Sequence, residues 1–310
     1  MIEYKDGIDF VLVSYTKPEY AKQCIKSINL FFKDVPKNIY VVCNYIDKDK
    51  EMSVLKEILD DDVITLEGVD QKDTARITPI SFVHTITRKG KLDGNITGMG
   101  SYYGAWATNI GIDEGSRKYV CILDHDSVFL NECSKELMEL LEEYCFISNR
   151  WDPGTLFREL PTHERKSELG MARPMLFFSK RKFYDDIAAE KYVEKDIWTT
   201  SPFNVDWRDN GGNLTWYAQQ KNKDFLILPN SYWVEAKKNR YGVKDSDVEK
   251  WHKSKDGHIL PLRDLDNEQC WIDDKPIHFH HGRGGYRGGV VRIQEWIDVT
   301  NNYFKEVENE

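Results

Sequence analysis

The chain has 310 residues, with 43 Lys+Arg against 52 Asp+Glu and a formal net charge of −9 at pH 7. Coating nucleic acid requires a basic surface, so this balance argues against that class while leaving room for one locally held anion. Hydrophobic residues make up 40% and aromatics 13%, which excludes wholesale disorder, and no apolar run approaches the roughly twenty residues that span a bilayer. The opening MIEYKDGIDF lacks a basic-then-apolar leader, so the expectation is a soluble, cytoplasmic protein with no transmembrane segment. Six cysteines (Cys24, Cys43, Cys121, Cys133, Cys145 and Cys270) include no CxxC pair, and reduced, buried thiols suit them better than a disulfide framework or a zinc ribbon.

Residues 8–15, IDFVLVSY, form a β-branched run that predicts a buried strand. Pro18 then opens a helix in which Tyr20, Cys24, Ile28 and Phe31 recur at helical spacing. A second strand (39–46, IYVVCNYI), a helix (50–61) and a third strand (63–68, VITLEG) follow. Residues 69–100 are polar and aperiodic, and a loop of that length is usually functional. A helix over 101–115, a strand over 118–124 and an amphipathic helix over 134–144, with Ser134 as its N-cap, complete the first half. The alternation predicts an α/β fold with a mostly parallel sheet flanked by helices. Beyond 150 the composition shifts, and eight of the nine tryptophans lie at 151 or later. Residues 1–130 read as a nucleotide-binding half and 131–310 as an acceptor-side half, joined in one compact body without a Pro- or Ser-rich linker.

The central chemical feature is KYVCILDHDSVFL (118–130), a strand running into Asp124-His125-Asp126. Open α/β sheets bind ligands at the carboxyl ends of their strands. Two carboxylates placed there can offer hard oxygen ligands to Mg²⁺ or Mn²⁺, which in turn can hold phosphates. The competing reading of a D-x-D is a pair of turn residues.

The block GAWATNIGIDEGSRKYVCILDHDSVF (104–129) resembles the core of GT-A glycosyltransferases, the family 2-like group in particular. Asn109-x-Gly111, Gly115, Tyr119-Val120 and Asp124-His125-Asp126 match that pattern in order and spacing. The opening βα unit, DFVLVSYTKPEYAKQCIKSI, resembles it as well, so the similarity covers about residues 8–130. Thr108 stands where many relatives carry Arg. The resemblance implies a GT-A, Rossmann-like fold and a nucleotide-diphosphate sugar donor, UDP- or GDP-linked, bound across the first half. Val13, Ser14 and Tyr15 would cradle base or ribose, Asn44 or Asp47 would add contacts after the second strand, and Asn109 and Asp124 would serve the donor site. The acceptor would be a saccharide hydroxyl, with no nucleic acid involved.

Near the C-terminus, PIHFHHGRGGYRGG (276–289) gathers His278, His280 and His281 before Arg283 and Arg287. On a strand, 278 and 280 share one face and 281 takes the other. Glycine-rich backbone and arginines suit phosphate oxygens. The H-x-H-H opening also resembles a cupin metal signature, but glycines and Tyr286 occupy the places of the expected Glu. Many metal-dependent GT-A enzymes complete the D-x-D site with a C-terminal histidine. That resemblance points to His281, directly before the glycine, with His280 as runner-up. A carboxylate from NVDWRDNGGNLTWYAQQKN (204–222) would deprotonate the acceptor in an inverting enzyme, and Asp209 and Asp206 are the candidates. Trp207 and Trp151, set among polar turn residues, are candidate platforms for sugar rings. Other functions weighed are a nucleotidyltransferase, which would want a Gly- and Lys-rich loop after the first strand where VSYTKPEY stands, and a non-catalytic carbohydrate-binding module.

Overall fold

A computed structural model describes residues 4–15, 17–45, 47–60, 62–70, 97–149, 175–189, 212–228, 230–232, 259–262, 267–281 and 290–309. Of the loop expected over 69–100, residues 69–70 instead end a strand (Val63–Asp70) and 97–100 begin a helix (Thr97–Glu114), while 71–96 lie outside these residues, as do Trp151, Asp206, Trp207, Asp209, Arg283 and Arg287.

The strands are β1 (Lys5–Tyr15), β2 (Lys37–Tyr45), β3 (Val63–Asp70), β4 (Arg117–Asp124), β5 (Ser127–Phe129), β6 (Phe146–Asn149), β7 (Leu176–Lys180), β8 (Leu226–Leu228), β9 (Asn230–Tyr232), β10 (Asn267–Ile272) and β11 (Lys275–His281). The helices are α1 (Pro18–Phe31), α2 (Lys48–Ile58), α3 (Thr97–Glu114), α4 (Ser134–Glu143), α5 (Arg181–Ala189), α6 (Gly212–Gln220) and α7 (Val290–Asn309). Seven strands form a sheet in the order β3-β2-β1-β4-β7-β6-β8, in which β7 alone runs against the others. A second, antiparallel sheet has the order β5-β11-β10-β9. This is the α/β class the alternation predicts. None of the described helices is long and apolar enough to cross a membrane.

Both faces of the large sheet are covered, which is why its strands read as continuous apolar runs. Along β1, Ile8, Phe10 and Leu12 join one core cluster while Val11 joins the other. Along β4, Tyr119, Cys121 and Leu123 alternate with Val120 and Ile122 in the same way. Helices α1 and α7 lie side by side over the first cluster, tied by Thr300 Oγ1 to Gln23 Oε1 at 3.1 Å. All six cysteines are unpaired. Burial raises their thiols, Cys43 and Cys145 to about 12, so they pack as small apolar groups.

Helix starts follow local chemistry. Pro18 occupies the first turn of α1, where its missing N–H is not needed. Asp47 caps α2 by accepting from the Lys50 N–H at 3.5 Å. At α4 the sequence expectation is corrected: Cys133 is the N-cap, and Ser134 is the first helical residue. The Glu132 carboxylate replaces the expected cap, accepting from the Ser134 N–H at 2.9 Å and from its hydroxyl.

At the end of the sheet remote from the strand C-termini, Asp9 is fully buried and accepts three hydrogen bonds. They come from Arg181 Nη2, the Arg117 N–H and Asn38 Nδ2, each at 2.7 Å. Arg181 also donates to the carbonyls of Arg117 and Ile112, both at 2.8 Å.

Candidate active site

The chain order places a crevice. From β1 it proceeds outward through β2 and β3, then returns to the other side of β1 as β4. Between β1 and β4 the direction of winding therefore reverses, and ligands of open α/β sheets sit at the strand C-termini of such a point. Val13 of β1 pairs with Asp124 of β4 there.

The turn after β4 is held from three sides. Ser127 Oγ donates to the Asp124 carbonyl at 2.6 Å, closing the turn. His125 Nδ1 lies 2.8 Å from the Val13 carbonyl. A carbonyl only accepts, so this nitrogen carries the proton and donates. The His281 N–H donates to the Asp126 carbonyl at 2.8 Å. Strand β5 then pairs with β11, setting His280 opposite Ser127 and His278 opposite Phe129.

This pairing brings together Asp124, Asp126 and His280, whose ligand atoms all lie within 4.8 Å of one another. His280 Nε2 is 3.4 Å from Asp126 Oδ1 and 3.6 Å from Asp124 Oδ2. Asp126 and His280 are buried, while the Asp124 side chain is 39% exposed and forms the solvent side of the group. Burial alone would raise the Asp126 carboxyl, but the imidazoles of His280, His125 and His281 override it and hold it below the usual carboxylate range. Burial opposes charge on His280 too, yet Asp126, Asp124 and Glu268 leave its proton affinity raised. His278, buried beside Phe129, is pushed the other way by burial and by His280, down to about 3, and stays neutral.

The donor set fits a divalent cation. The two carboxylates offer the hard oxygens that Mg²⁺ and Mn²⁺ take, and the imidazole, a ligand of transition metals, favours Mn²⁺ of the two. The 3.4–3.6 Å separations are loose for charged hydrogen bonds. Two ligands about 2.1 Å from one octahedral ion at about 90° lie about 3.0 Å apart, so holding the ion would draw these side chains together by a few tenths of an ångström.

The other expected residues are placed as follows. His281 is not one of the three grouped ligands, although its ring is close enough to Asp126 to act on its charge. Its Nδ1 meets Asn267 Oδ1 at 2.8 Å, and its ring stacks on Trp296, with centroids 5.2 Å apart and planes 10° from parallel. Ser14 and Asn44 are buried at the ends of β1 and β2, and Tyr15 is the last residue of β1. Asn44 packs on Gly68, where an added Cβ would lie 2.5 Å from its Oδ1. Asp47 is an exposed helix cap. Asn109 is buried in α3 and accepts from the Tyr184 hydroxyl of α5 at 3.2 Å. Thr108 donates to its own helix at the Gly104 carbonyl (2.9 Å) and offers no cation.

Two site residues escaped the sequence reading. Glu268 of β10 is buried directly across from His280. Asn149, ending β6, donates to its Oε2 at 3.4 Å and so ties the far side of the large sheet to the triad.

No protein-family model matches the chain, and no curated protein matches it. Solved structures do share its backbone path in part. It is similar to the galactosyltransferase LgtC in complex with donor and acceptor sugar analogs, at 9% identity, over 95% of each chain and with a TM-score of 0.46. It is similar to mouse xyloside xylosyltransferase 1 at 13% identity, over 81% of this chain and 96% of that one, again with a TM-score of 0.46. For residues 1–349 of S. aureus TarS the identity is 11% and the TM-score 0.37, over 63% of this chain and 52% of that one. The chain thus spans about half the length of the TarS structure. At these values function has to be read from the side chains.

Proposed function

We propose that the protein transfers a sugar from a nucleotide-diphosphate donor, UDP- or GDP-linked, to a saccharide hydroxyl, using Mn²⁺ or Mg²⁺ held by Asp124, Asp126 and His280. The observation that carries this is the convergence of those three side chains at the switch point between β1 and β4. A bound cation there supplies electrostatic stabilisation of the charge that grows on the departing diphosphate. Asp126 and His280, buried and fixed by strand pairing, form the rigid wall of the site, and half-exposed Asp124 leaves the solvent side open for the donor. The ends of β1 and β2, with Val13, Ser14, Tyr15 and Asn44, are the donor side. Arg283 and Arg287 follow His281 closely in sequence and would share the phosphate charge. Glu268 and Asn149 extend the polar lining toward β6, where the acceptor would lie. Asp209, or Asp206, would take the acceptor proton if configuration inverts, and would bind the acceptor if it is retained. Residues 1–130 would supply most of the donor site and 131–310 the acceptor side. Six unpaired thiols suit a reducing, cytoplasmic setting.

The test is turnover of a panel of UDP- and GDP-sugars with Mn²⁺ present. Replacing Asp126 by Ala is expected to reduce metal-dependent turnover at least ~10²-fold, the scale of losing one pre-organised electrostatic element. Turnover near that of the unaltered protein would refute the assignment.

A further inference from the structure

Behind the three candidate ligands lies a second constellation that their chemistry does not use. The residue between Asp124 and Asp126 is His125, and the residue after His280 is His281, so each ligand segment carries a neighbouring imidazole. Tyr20 of α1 contacts both of these rings. Its centroid is 5.9 Å from His125, edge to face at 62°, and 6.1 Å from His281 at 32°. Trp296 of α7 adds the nearly parallel stack on His281 at 5.2 Å and meets Tyr20 at 5.9 Å. Tyr20 and Trp296 are both fully buried.

Polar bonds fix how the imidazoles sit. His125 donates to the end of β1 through Val13. Asn267 Nδ2 donates to the Leu262 carbonyl at 2.6 Å, so its Oδ1 is the atom turned to His281, and His281 Nδ1 must donate. With each ring pinned at an edge by these bonds, Tyr20 contacts both of them and Trp296 stacks on His281. Four rings from four separate segments (α1, the β4–β5 turn, β11 and α7) thus link the carboxylate-bearing turn to the histidine-bearing strand.

Resting on the reading of the triad as a cation site, we propose that Tyr20 and Trp296 are positioning residues for it: by holding the His125 and His281 rings they set the spacing between the two carboxylates and His280. The effect runs from the two rings through His125 and His281 to the backbone of the ligand segments. In metal sites, groups that orient the ligands from behind typically change affinity or activity 10–100-fold when removed.

The experiment is Mn²⁺ titration of the full chain, followed by the electron paramagnetic resonance of free Mn²⁺, with the melting temperature of each variant measured alongside. Tyr20→Leu and Trp296→Leu are expected to weaken Mn²⁺ binding about 10–100-fold, whereas Tyr20→Phe and Trp296→Phe, which keep a ring, stay within about threefold of the unaltered protein. Tyr20→Met carries the same expected loss as Tyr20→Leu should the latter not fold. Phe146→Leu truncates a fully buried ring in the core on the other face of the sheet, and is expected to lower the melting temperature without altering Mn²⁺ affinity. Normal Mn²⁺ affinity in folded Tyr20 and Trp296 leucine variants, or an equal loss in Phe146→Leu, would overturn the positioning role. No Mn²⁺ binding by the unaltered protein, or undiminished binding by Asp126→Ala, would instead overturn the cation site on which it rests.

Discussion

Asp126 is a carboxylate removed from water that nonetheless stays ionised, because three imidazoles surround it more effectively than burial opposes it. His280 is its counterpart, holding its proton more tightly than a free imidazole. The signs fix a pH window for the cation-free protein. A raised histidine stabilises the fold below about pH 6.5 and loses that contribution as pH climbs through its folded value. A depressed carboxylate stabilises above about pH 3.9 and loses its contribution only in stronger acid. The Asp126–His280 attraction is therefore fullest between about pH 4 and 6.5. Cation binding at the proposed site would displace the His280 proton. Mn²⁺ affinity is accordingly expected to rise about tenfold per pH unit below the raised His280 value and to level above it, as calorimetry over pH 5.5–8.5 checks. His278 acts in the opposite sense. Its folded value near 3 means that stability present above about pH 6.5 drains away as pH falls toward that value. His278→Leu should flatten this acid limb by about one proton, roughly 1.4 kcal/mol per pH unit, in urea titrations between pH 4.5 and 6.5.

Among the elements, Gly111 of the N-x-G segment shows how a motif residue is fixed by packing. A Cβ built there would lie 2.5 Å from Val11 Cγ1 and 3.2 Å from Val42 Cγ2, so α3 approaches β1 and β2 too closely for any side chain. Gly111→Ala should destabilise by about 1–3 kcal/mol, with part recovered in the Val11→Ala double variant, as chemical denaturation would show. The elements of the first half were legible because their signals are strong: β1, β2 and β4 are apolar runs covered on both faces, and α1 repeats its buried positions at Tyr20, Cys24, Ile28 and Phe31. The D-x-D turn was legible for the same reason, since a strand end is visible in sequence. Choosing among the C-terminal histidines was harder. Strand alternation does separate 278 and 280 from 281, but which face meets the carboxylates depends on the β5–β11 register, a contact between segments some 150 residues apart. Glu268 was hidden by a bulge. Counting back from the Ile272–Lys275 pair would set it opposite Phe279, whereas the shift between Cys270 and Trp271 moves it opposite His280, onto the face of the site.

Across the whole molecule, both sheets mix strands from before and after residue 130, and the triad forms where the two sheets meet at the β4–β5 corner. The far end of the large sheet is locked separately by Asp9 and Arg181. Because Asp9 is buried with all its partners in place, replacing Arg181 by Met would strand its charge, and a loss of about 3–5 kcal/mol is expected in denaturant titrations. Folded Arg181→Met should still bind Mn²⁺ with unaltered affinity, since the lock and the triad occupy opposite strand ends. The central claim is that Asp124, Asp126 and His280 hold one cation that in turn holds the donor diphosphate. Its most direct test is calorimetric titration of UDP- and GDP-sugars into the protein with Mn²⁺ and then with EDTA, repeated for His280→Ala. The account predicts binding that requires Mn²⁺ and weakens at least tenfold in the variant, in line with the loss of a ligand-sphere group; equal affinity with EDTA, or in His280→Ala, would contradict it.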